Sequence, residues 1–171
     1  MSVPAGTEIE PIDLAAYADG ARAAWFSVES ADRASLAFQV RVFDESRTAL
    51  NWGTFVPAVD WNSAKRLRFS FVRVPTATPF RHTVRVYSFS PRAGHGHVRY
   101  YDADSGATLA IREFTITTDR GEAQIDSLGI PELADATEVR IEVESDADPI
   151  WSLVSITNDE TQVVTILPGT Y

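Results

Sequence analysis

Val139, Ile141 and Val143 alternate with Glu138, Arg140, Glu142 and Glu144, the period-two pattern of a strand with one dry face and one wet face. Ser145-Asp-Ala-Asp-Pro149 then turns the chain, 150–156 returns it, Asn158-Asp-Glu160 turns it again, and 162–167 makes a third strand. The same layout recurs earlier at an offset of 115 residues: Ala136 falls on Ala21, Val139, Ile141 and Val143 on Ala24, Phe26 and Val28, and Asp159-Glu160 on Asp44-Glu45. An internal repeat is therefore expected, with strands at 22–28, 36–42 and 49–56.

The middle of the chain has the same two-residue rhythm. Leu67, Phe69 and Phe71 alternate with Arg66, Arg68 and Ser70, and 75–79 breaks that strand with prolines. A strand over 83–89 carries Val84 and Val86 on one side and Arg85 and Tyr87 on the other. Pro91-Arg-Ala-Gly-His-Gly96 reads as a loop, and 97–101 with 107–116 as a hairpin across Asp102-Ala-Asp-Ser-Gly106. A change of apolar parity between Leu109/Ile111 and Phe114/Ile116 predicts a β-bulge there. Only 13–18 and 131–134 suggest helical turns. Short, evenly spaced strands with polar turns predict an all-β, antiparallel β-sandwich, immunoglobulin-like in the broad sense but without the Cys…Trp…Cys signature.

Residues 1–60 match only the last part of the unit that 61–171 completes, with a linker at 57–63. Half a sandwich cannot cover its own apolar face, so 1–60 is expected to pack on the rest or to be completed by another chain.

The run Val143-Glu-Ser-Asp-Ala-Asp-Pro-Ile-Trp-Ser-Leu-Val-Ser-Ile-Thr-Asn-Asp-Glu-Thr-Gln162, ending in Ile166-Leu-Pro168, resembles the closing strands of immunoglobulin-like β-sandwich repeats of bacterial exported and surface proteins. The resemblance covers roughly 121–168 and, more weakly, 6–58, and it implies a non-catalytic structural or adhesive module at the cell surface. It transfers no site residues.

With 171 residues, 44% of them apolar, the chain can bury a proper core. No run reaches the length of a transmembrane helix, and the N-terminus lacks the basic and apolar regions of a leader, so the location is extracellular after processing or else cytoplasmic. The absence of cysteine excludes disulfides and thiolate chemistry. A net charge of −9 argues against nucleic acid as a partner.

That average hides a segregation. From Trp61 to Tyr101 there is no acid, but eight basic residues, among them Lys65, Arg66, Arg68, Arg81, Arg85 and Arg99, together with all three histidines. The rest of the chain has a net charge of −17. Two readings follow: the basic segment meets an acidic surface of a neighbouring copy or another protein, weakening with salt, or it pairs with acidic strands of its own sheet.

Candidate chemistry is sparse. His95-Gly-His97 with Asp102 resembles the first cupin motif, but the pattern wants Glu, an earlier glycine and a later histidine. With His82 these residues are the metal candidates, and Asp102-Ala-Asp104 begins like a calcium loop whose twelfth position falls on a strand. A hairpin turn explains the same residues. There is no Gly-x-Ser-x-Gly and no phosphate-binding glycine loop, and Glu142 and Glu144 suit the wet side of a strand. No cofactor and no enzyme activity are expected. Trp52, Trp61, Tyr87 and Tyr100 are the candidates for stacking on a sugar, against the alternative that they fill the core.

Overall fold

The computed structural model describes residues 40–42, 54–56, 66–88, 93–118 and 121–170, all of them within the compact unit Ala34–Tyr171. Among the described residues there are ten strands: β1 (Val40–Val42), β2 (Thr54–Val56), β3 (Arg68–Pro75), β4 (Phe80–Ser88), β5 (Gly94–Asp102), β6 (Thr108–Ile116), β7 (Glu122–Asp126), β8 (Glu138–Ser145), β9 (Ile150–Asn158) and β10 (Val164–Pro168). They form two four-stranded antiparallel sheets, β10-β9-β4-β7 and β3-β8-β5-β6, beside the small pair β1-β2. Among the described residues the only helical turns are of the 3₁₀ type, Ser127–Gly129 and Pro131–Leu133, and no helix is long and apolar enough to cross a membrane.

Alternation makes the sandwich. Val84 and Val86 of β4, Val98 of β5, and Val139, Ile141 and Val143 of β8 are all buried in one core cluster to which both sheets contribute. Burying each such side chain stabilises the fold by roughly 1.5–3 kcal/mol before entropy is counted. β8 shows the pattern most cleanly: every second residue from Val139 to Ser145 is buried, and the intervening Glu138, Arg140, Glu142 and Glu144 are half exposed.

The turns follow side-chain chemistry. Asp102 accepts from the backbone N–H of Ser105 at 2.7 Å and from its hydroxyl at 2.6 Å, while Gly106 takes φ +73°, which closes the β5–β6 hairpin. Asn158 likewise caps the β9–β10 turn, accepting from the N–H groups of Glu160 (2.9 Å) and Thr161 (3.0 Å).

Two expectations need correction. Gly94–Gly96 is not loop but the start of β5, and Gly96 pairs with Phe114 and Ser145 on its two neighbours. The irregularity in the hairpin sits at Leu109, opposite the Tyr100/Tyr101 step, and beyond it Ala110, Phe114 and Ile116 keep a single inward parity. β3 ends at Pro75, at the expected proline break, after an irregularity between Phe71 and Val74 where Arg73 adopts φ +51°.

From β3 onward only β5–β6 and β9–β10 connect within one sheet, and every other connection crosses between sheets. This order departs from the immunoglobulin sandwich, where strands A and B, D and E, and F and G each stay in one sheet. The first copy of the expected repeat lies outside the described residues except for Val40–Val42 and Thr54–Val56, as do the boundary at residue 60, the linker at 57–63 and the turn at 13–18.

Candidate interaction surface

The wet face of β3-β8-β5-β6 is built on the acidic strand β8, which lies between the basic strands β3 and β5. Register places Glu144 opposite Arg68 on one side and His97 on the other, and Glu142 opposite Ser70 and Arg99. One carboxylate gathers most of the charge. Glu144 accepts from Arg68 at 2.9 Å, from Arg99 at 2.8 Å and from His97 Nε2 at 3.2 Å. The hydrogen bond from Arg68 and then that from Arg99 pull its carboxyl down to about 2.

The next carboxylate along β8, Glu142, accepts from the Tyr101 hydroxyl at 3.2 Å and from Arg140, whose guanidinium lies 4.0 Å over the Tyr101 ring. At the end of the strand Arg73 binds Glu138 at 2.6 Å and reaches Asp104 at 3.4 Å. On the other sheet Arg81 binds Asp159 at 2.8 Å, and Arg85 stands 4.0 Å from Glu122. The described arginines Arg68, Arg81, Arg85 and Arg99 thus each face a carboxylate of their own chain. Arg66 pairs through its backbone with Ile150, and Lys65 lies outside the described residues.

The metal candidates do not converge. His82 turns inward from β4 and is 1% exposed, whereas His95 and His97 lie on the wet face of the other sheet. His95 contacts the Thr115 hydroxyl at 3.2 Å, Asp102 is engaged by Ser105, and Asp104 meets Arg73. Among the described residues no group of three or more potential ligands is placed to hold a metal ion. The stacking candidates also separate. Tyr100 is 0% exposed and cannot meet a sugar, which corrects that expectation; Tyr87 stacks on Trp151 with centroids 5.4 Å apart, and Trp52 and Trp61 lie outside the described residues.

The sheet edges hold a feature that residue types alone did not suggest. The β3 edge is interrupted at Phe71–Val74, ends in Pro75, and is closed by Thr170, which exchanges backbone bonds of 2.8 and 3.0 Å with Ser70. β10 is met by β2, where the Thr54 hydroxyl donates to the Val164 carbonyl at 2.9 Å, and it ends in Pro168. β7 is only five residues long. β6 differs: it has nine residues, and among the described strands only β5 pairs with it. Near its middle Ile111 is 52% exposed. An open strand edge is a row of backbone donors and acceptors able to pair with another strand. Ile111 falls on the parity of Glu113 and Thr115, a signal the sequence did contain.

No family model matches the chain, and no curated protein matches it. Among solved structures it is similar to Thermotoga maritima 1070, with 14% identity and a TM-score of 0.49 over 63% of this chain and 95% of that one. It is also similar to the Anabaena sensory rhodopsin transducer, with 16% identity and a TM-score of 0.42 over 54% and 88% of the two chains.

Proposed function

We propose that this chain is a non-catalytic interaction module that associates with further copies of itself by strand addition at the outer edge of β6. The observation that carries the reading is the contrast among sheet edges: β3 and β10 are interrupted or met by other segments, β7 is short, and β6 is long and, among the described strands, paired only by β5. A twofold axis through Ile111 sets the two isoleucines together and puts Glu113 across from Leu109. That register keeps Arg112 off Arg112 and Glu113 off Glu113.

The arginines of the basic segment support this placement indirectly. The charges of Arg68, Arg81 and Arg99 are engaged by carboxylates of the same chain, which leaves less cationic surface for an acidic neighbour. Because each copy has a net charge of −9, self-repulsion opposes association and salt relieves it. Sedimentation velocity over a concentration series is expected to show a reversible dimer that strengthens with salt and is lost in Ile111→Lys. A wild-type monomer at every concentration in high salt contradicts the reading. An Ile111→Lys variant that associates as the wild type does moves the contact elsewhere.

A carbohydrate-binding reading keeps one support, the half-exposed Tyr87–Trp151 stack beside Arg85 and Glu122. Glycan binding that is lost in Trp151→Ala would favour it over self-association.

A further inference from the structure

His82 and Tyr100 face each other across the core, one turned inward from β4 and the other from β5, and they are 1% and 0% exposed. Their ring centroids lie 5.9 Å apart with planes inclined at 37°. The His82 backbone is satisfied, since its N–H donates to the Ser127 hydroxyl at 3.0 Å. Its ring is not: among the described residues neither imidazole nitrogen meets a hydrogen-bond partner, and neither does the Tyr100 hydroxyl. The Pro75 carbonyl is close enough to favour the charged imidazole, but does not reach hydrogen-bond geometry with it.

A neutral imidazole offers one donor and one acceptor, and a phenol offers both. Left dry, such groups lose their hydration with nothing in return, whereas apolar side chains of similar shape would fill the same space without that cost. Two such residues side by side are explained if they share a small neutral molecule that both donates and accepts. We infer that His82 and Tyr100 form a buried water site between the two sheets, the water bonding to Tyr100 Oη and to one His82 ring nitrogen. The Pro75 carbonyl is the third polar group at hand, and a buried water takes two to four partners.

The decisive test is a sign. If the hydroxyl of Tyr100 is dry, Tyr100→Phe removes a cost and Tm rises; if it binds water, the same change lowers Tm, by about 2–4 °C for each kcal/mol lost in a chain of this size. The expected result is a lower Tm for Tyr100→Phe, and a double variant Tyr100→Phe/His82→Leu that falls by less than the sum of the two single changes. An unchanged or raised Tm in Tyr100→Phe overturns the site. Water-selective NMR supplies an independent reading: cross-peaks from a long-lived water to the His82 and Tyr100 ring protons support the site, and their absence overturns it.

Discussion

Glu144 takes three hydrogen bonds from groups on the two strands that flank it, and they hold its carboxyl at about 2. His82 is displaced in the same direction for the opposite reason: burial disfavours its charged form and lowers it from 6.5 to about 4. A group whose folded value is depressed binds its proton more readily in the unfolded chain. Its contribution is therefore present above the unfolded value and is lost as the pH falls toward the folded one. For His82 that window runs from 6.5 down to about 4, and the shift corresponds to stability on the order of 3 kcal/mol. Glu144 adds to the acid loss lower down, between 4.5 and about 2. Thermal unfolding followed against pH is expected to show Tm falling below pH 6.5, with a flatter slope in His82→Leu; an unchanged slope would remove His82 as the cause.

Both corrected site residues show what decided between chemistry and packing. Val84 and Val86 fix the inward parity of β4, and the same parity takes His82 inside; Val98 does this for Tyr100 on β5. Strand alternation was visible in the sequence and outranked residue type. The depth of the two side chains was not visible, because it depends on which strands from the opposite sheet come to lie over them.

The elements most legible in advance were β8, where alternation is strict, and the hairpin at Asp102–Gly106, where the turn residues have a mechanism. Less legible was the start of β5, since Gly94-His-Gly96 has loop composition and nothing local marks it as strand. The structure gives the reason for glycine there. A Cβ on Gly96 would run into the backbone carbonyl of Glu144 and the ring of Phe114. Gly96→Ala is therefore expected to cost about 1–3 kcal/mol, read as a lower midpoint in urea unfolding. A loss within error of zero would mean that β5 begins later. The β-bulge was foreseen from a parity change, but its place was set by cross-strand register at Leu109, which a single strand does not reveal.

For the whole molecule, two antiparallel sheets around one apolar cluster follow from short amphipathic strands, and composition alone had excluded thiol chemistry. The order of strands, with most connections crossing between sheets, was not in the alternation, since every strand offers the same dry face to either sheet. The charge segregation was plain in the sequence. Its outcome, a ladder of arginines and carboxylates across β3, β8 and β5, rests on which strands became neighbours. With that ladder engaged on itself, the outer edge of β6, paired among the described strands only by β5, is the place proposed for association. Amide hydrogen exchange measured at several protein concentrations tests this most directly. The predicted result is protection that rises with concentration along residues 108–116 and leaves the β3 and β10 edges unchanged; exchange in β6 that is independent of concentration, or protection that grows instead at another edge, contradicts it.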